Sequence, residues 1–186
     1  MKEWGTVYFL VIFGCIYGGL VSVFRERISN SFAHLKRMRF PVFLILAAAV
    51  SVAEEICVYS LGNRIAVPDI WRDIIIVPGE WSVWFAAWYL IIARKFRFTQ
   101  GQALLAAGVS GILFEYIGTG LFLSNPVGLL LYAPLTIITY AAIFVLPLQA
   151  MDFTGMSESR WKYPVSIFLP YVLSIPAALI LYAVFD

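Results

Sequence analysis

The chain has 186 residues, 62% of them hydrophobic and 13% charged, with a net charge of +2. A soluble domain carries about 25% charged residues, so this chain lacks the polar side chains to coat itself and needs lipid as its solvent. The small net charge excludes an electrostatic nucleic-acid surface, and the two cysteines, Cys15 and Cys57, sit in apolar runs outside any zinc or redox pattern. The composition predicts one all-α domain over 1–186, a polytopic integral membrane bundle of about six transmembrane helices.

The first span covers 4–24. It is too long for a signal peptide, and its basic residues follow it instead of preceding it. Gly14 and Gly18 form a GxxxG in this span, a close-packing contact or a dimer face. The second span covers 41–60. The third is the least regular: Glu80 to Ala93 makes only about 21 Å of helix, so it must begin near Ile74 and span 74–93. That start places Pro78-Gly79 inside the helix and predicts a break there. The stretch Pro68 to Asp73 reads as a short interfacial helix capping the outer face, where Asp69, Asp73, Arg64 and Arg72 can pair among themselves or with the glutamates, as a solvated amphipathic loop or as a lid over the acidic layer. The fourth span covers 101–123, and a Ser124-Asn125-Pro126 turn leads to the fifth at 127–150. The sixth covers 163–185. Six Trp and an aromatic content of 17% suit two water–lipid boundaries.

Lys and Arg set the expected orientation. Arg25, Arg27, Lys36, Arg37 and Arg39 lie in loop 25–40, Arg94, Lys95 and Arg97 in loop 94–100, and Arg160 and Lys162 in loop 151–162. Six spans put these three loops on one side, which is expected to be cytoplasmic, with both termini outside.

Four glutamates carry the functional expectation. Glu54 and Glu55 lie in the second span, Glu80 in the third and Glu115 in the fourth. With the boundaries above, all lie roughly 8–12 Å below the outer surface. A carboxylate at the centre of a membrane helix costs at least about 2.5 kcal/mol on insertion scales, so these groups should face the interior, water or a cation. Gly108, Gly111, Gly118 and Thr119 share the Glu115 face, and Ser51 and Tyr59 share that of Glu55. Tyr59 and Thr119 join the four glutamates as expected substrate- or ion-binding residues. Trp81, Trp84 and Trp88 form one stripe, facing lipid or core, and Tyr132, Thr136 and Tyr140 share a face of the fifth span.

The only histidine, His34, lies in the basic loop, so neither zinc, haem nor a Ser-His-Asp triad is expected. A carboxylate-only site suits protons or a hard cation such as Mg²⁺ or Ca²⁺, with Glu54, Glu55 and Glu115 as its ligands. Glu54-Glu55-Ile56-Cys57-Val58-Tyr59 resembles, in its paired acids, the first motif of the CAAX-type intramembrane proteases. That family has an Arg where Tyr59 stands and supplies histidines from later helices, which this chain lacks. The leading expectation is an acidic cavity near the outer face that binds or transports a small cation, a proton or a cationic solute. Its rivals are an intramembrane enzyme acting on a lipid or peptide and a non-catalytic membrane subunit. The partners expected are the bilayer itself and a second copy or another membrane protein, with no nucleic acid.

Overall fold

The computed structural model describes residues 4–35, 38–63, 65–118, 123 and 126–185. Six helices are long and apolar enough to cross a bilayer: α1 (Gly5–Val23), α2 (Arg39–Ser60), α3 (Ile70–Lys95), α4 (Gln100–Gly118), α5 (Pro126–Leu148) and α6 (Lys162–Phe185). The short polar helix Arg25–Phe32 follows α1. The predicted helical membrane bundle is therefore present.

Helix α3 corrects two expectations. It starts at Ile70, four residues before Ile74, because Asp69 caps it: its Oδ1 accepts the Trp71 N–H at 2.9 Å. The expected interfacial helix at 68–73 is thus its first turn. Nor is the helix broken at Pro78-Gly79, since helical hydrogen bonding continues to Ala87 with Pro78 buried inside. The Ser82 hydroxyl donates to the Pro78 carbonyl at 2.7 Å. Gly79 relieves the crowding on the other side, where a Cβ would come within 2.9 Å of Leu181 Cδ1.

The helices close a ring. α3 packs on α2 and α6, α6 on α4, α4 on α5, and α5 returns to α2, while α1 leans against α5 from outside. Gly14 and Gly18 make that last contact, facing Ile138 and Ala142 of α5, so the GxxxG is used within the chain. Along the outside, Val11, Ile16 and Leu20 of α1 and Phe168, Leu179 and Val184 of α6 remain exposed, as lipid-facing side chains must.

Inside the ring, the half nearer the basic loops is dry. Phe43, Trp84, Phe85, Trp88 and Phe144 are all at most 2% exposed. Their rings meet 4.9–6.4 Å apart in edge-on, tilted and stacked pairs, each worth about 0.5–1.5 kcal/mol beyond burial. The tryptophan stripe is therefore core. The Trp84 indole N–H donates to Ser110 Oγ at 3.0 Å, and the Ser110 hydroxyl to the Ile167 carbonyl at 3.0 Å, tying α3, α4 and α6 together.

The basic loops meet at one end. Phe96 and Ser157 form a parallel bridge, Gly155 N–H donates to the Ala93 carbonyl at 2.9 Å, and Arg39 pairs with Asp152. Buried Lys162 donates to the Arg97 carbonyl at 3.0 Å, to Gln102 Oε1 at 3.1 Å and to Glu158 Oε2 at 3.4 Å. That cation is satisfied by loop acceptors on both sides of it.

Close packing of α4 on α5 depends on Gly108 and Gly111. A Cβ at Gly111 would overlap the Tyr140 ring, and one at Gly108 would come within 2.8 Å of Ile137 Cγ2. We expect Gly111→Val to lower stability by about 1–3 kcal/mol through overpacking. Gly19→Ala, where a Cβ meets nothing within 4 Å, should leave it unchanged. Thermal unfolding of the two variants in detergent checks both outcomes.

Candidate functional site

Near the end of the bundle opposite the basic loops, four acids from three helices come together. Glu54 and Glu55 of α2 are each 7% exposed and Asp73 of α3 is 0% exposed. The Glu54 carboxyl touches that of Glu55 and lies within electrostatic reach of Glu115 and Asp73. Glu55 in turn touches Asp73. Glu115, unlike the other three, is exposed at the edge of the cluster, and its Oε1 accepts the hydroxyl of Tyr140 at 3.0 Å. The ring order brings this about: α3, α2, α5 and α4 are successive neighbours, and each contributes one or two polar groups to the same side of the interior.

Asp73 is the member that the sequence leaves outside the acid layer. Its place in a polar stretch, beside Arg72 and four residues after Asp69, assigns it to the capping segment, solvated or set as a lid over the glutamates. The early start of α3 turns it inward instead. Asp73 Oδ1 accepts the Val67 N–H at 2.7 Å, which folds the preceding loop back over the cluster with Ile65 and Val67 buried. Among the described residues Asp73 Oδ2 is buried with no N–H or hydroxyl donor, and the Asp73 carboxyl touches that of Glu55. A signal was available in the sequence: Asp69 is an N-cap residue type, and a helix started there includes Asp73 in its first turn.

The other expected residues divide. Glu80 is half-buried and sits about 15 Å along α3 from its start, roughly one turn deeper than expected. It is not part of the cluster, and the titratable group in its reach is Tyr171 of α6. Tyr59 is half exposed at the end of α2 and takes no part. Thr119 lies outside the described residues. Of the polar face on α5, Tyr140 is buried and Tyr132 is exposed, while the Thr136 hydroxyl donates to the Tyr132 carbonyl at 3.3 Å and also meets the Tyr116 hydroxyl of α4.

Among the described residues, ion pairs join Arg39 to Asp152, Arg72 to Asp69, and Arg97 and Lys162 to Glu158; none of these includes Glu54, Glu55 or Asp73. Among the same residues, no group of three or more His, Cys, Asp or Glu side chains has the disposition of a metal centre. The two best-formed concavities lie elsewhere, one on the outer face of α6 around Phe168 and one between α1 and α5 around Gly14 and Gly18. The acids are thus packed against one another and against rings: Trp81 lies 5.1 Å from Tyr140 and 6.3 Å from Phe114, and Phe114 lies 6.0 Å from Tyr140.

The chain has no match among family models, curated proteins or solved structures.

Asp73→Ala removes the acceptor of a buried backbone N–H and should cost about 1–3 kcal/mol. Asp73→Asn keeps an acceptor for Val67 and offers an N–H toward Glu55, so it should be as stable as wild type or more so. Thermal unfolding of both variants in detergent separates a loss of the bond to Val67 from a loss of charge.

Proposed function

We propose that this multi-pass membrane protein binds a proton in the cluster of Glu54, Glu55, Asp73 and Glu115 and passes it across the bilayer. The reading is supported by Asp73, whose Oδ2 is buried with no N–H or hydroxyl donor among the described residues and whose carboxyl touches that of Glu55. Two carboxylates in such contact repel, and burial in a medium of low dielectric strengthens that repulsion. One proton between them replaces it with a hydrogen bond, and Glu54 extends the same arrangement by one more carboxyl. A proton needs no cavity, which agrees with acids packed against one another. A hard cation needs several oxygens converging on one point, and these residues offer no such group. The positive-inside rule applied to the Lys and Arg of the three loops at the other end supports a cytoplasmic side there and loading of the cluster from outside.

Pure protein in liposomes that contain a pH-sensitive dye tests this. Under an imposed pH gradient we expect wild type to carry protons. Glu55→Gln and Glu115→Gln should fall to the rate of empty vesicles. Glu26→Gln, in the exposed helix after α1, should match wild type. Equal rates in all four proteins remove the reading.

A second reading has its own observation. The rings of Trp81, Phe114 and Tyr140 beside these carboxyls form the kind of surroundings that hold an organic cation. Retention of a tetraalkylammonium ion by wild type, lost in Trp81→Ala, is the result that favours it over the proton.

A further inference from the structure

We propose that Glu80 is a second proton-binding station, set apart from the cluster on the α3–α6 side of the ring, and that it receives its proton from Glu115. This rests on the proton reading above and adds a route to it. Glu80 lies about 15 Å along α3, near the middle of a hydrocarbon core about 30 Å thick. It is half-buried, and among the described residues its carboxyl makes no hydrogen bond or ion pair. A bare carboxylate at that depth costs about 2.5–3.5 kcal/mol on insertion scales, so ionisable groups placed there belong to ion or proton paths by default. The cluster does not account for Glu80, because its acids interact with one another and not with Glu80.

The connection lies in α4. Residues Leu113–Gly118 form a π-helical turn, a wider winding found mostly as a local bulge at functional positions. On this turn, neighbouring residues address two different tyrosines. Glu115 accepts the hydroxyl of Tyr140, on the cluster side. Phe114 stands edge-on to Tyr171 at 4.9 Å, on the Glu80 side. The Tyr171 hydroxyl reaches this turn, since a Cβ at Gly118 would meet Tyr171 Oη at 3.6 Å, and Tyr171 is also in electrostatic reach of Glu80. Tyr171 therefore lies between the α4 turn that carries Glu115 and Glu80, and its hydroxyl can relay the proton from one to the other.

In the transfer, the carboxyl O–H bond of Glu115 breaks and an O–H bond forms on a Glu80 carboxylate oxygen. No electrons change hands, and Glu115 returns ionised to be reloaded by Glu54 or Glu55. Tyr171 of α6 is in electrostatic reach of Glu80, and Glu54 and Glu55 of α2, Tyr116 of α4 and Tyr140 of α5 face Glu115. The aromatic block of Trp84, Trp88 and Phe144 lies beyond Glu80 along α3 and α5, so the second station is the last acid before the dry half.

The experiment is proton flux in liposomes for wild type and Glu80→Gln. The infrared C=O band of protonated carboxyls, assigned to the cluster by its loss in Glu55→Gln, is recorded alongside. We expect Glu80→Gln to carry protons no faster than empty vesicles while keeping the cluster band. Wild-type flux with an unchanged rate in Glu80→Gln overturns the second station alone. Loss of the cluster band in Glu80→Gln also overturns it, because Glu80 would then only support the cluster. Wild-type flux no faster than empty vesicles overturns the proton reading and this inference together. Should the variant not fold, wild type treated with dicyclohexylcarbodiimide gives the same decision. The reagent adds to protonated carboxyls in apolar surroundings. Flux lost in step with a Glu80 adduct mapped by mass spectrometry supports the proposal, and flux that survives a complete Glu80 adduct overturns it.

Discussion

Asp73 holds the candidate site together through two oxygens with different tasks. Oδ1 accepts the Val67 N–H at 2.7 Å and so draws the loop between α2 and α3 inward, burying Ile65 and Val67. Oδ2 is buried with no donor among the described residues, in a carboxyl that touches Glu55. Burying an amide without a partner costs about 1–3 kcal/mol, so the loop closes over the acids only with an acceptor at this position. The cap at Asp69 makes that acceptor available by starting α3 early enough to face Asp73 into the ring. Local backbone chemistry at one helix start thus sets both the roof of the site and one of its acids.

The bundle is polar and dry in separate halves. Toward the basic loops, Phe43, Phe85, Trp88 and Phe144 fill the ring completely. Toward the other end, the same ring holds carboxyls. Glycines make this division compatible with tight packing. With Gly108 and Gly111 on α4, α5 comes close enough for the Tyr140 ring to lie against the α4 backbone and for its hydroxyl to reach Glu115. Where the bilayer supplies no hydrophobic force between helices, such close approach and buried hydrogen bonds supply the association.

Charges at the basic end are handled in another way. Lys162 is buried but has three acceptors and lies over the Phe98 and Tyr163 rings at 5.2 and 5.3 Å. It closes the loops 94–100 and 151–162 on each other. The contrast with Glu55 and Asp73 is physical: a buried cation among carbonyls is fully satisfied, whereas carboxyls facing carboxyls are satisfied only with something between them. That difference separates the acid layer from Lys162.

The sequence by itself determined the membrane environment, the number of helices and the sharing of one end by the basic loops. These follow from composition and from the minimum length of an apolar helix, which no packing detail alters. It also determined that Glu54, Glu55 and Glu115 require polar company, because the cost of an unsolvated carboxylate is fixed by the bilayer. Only the tertiary structure decided which acids meet. Asp73 entered and Glu80 left because a cap at Asp69 moved the start of α3 by one turn, and a shift of that size is within what sequence signals leave open at a helix end. The passage of α3 through Pro78-Gly79 was likewise settled by neighbours, with Leu181 packed at Gly79 and Ser82 satisfying a carbonyl. Periodicity assigns faces within one helix, but the pairing of faces between helices depends on ring order, and that order exists only in three dimensions.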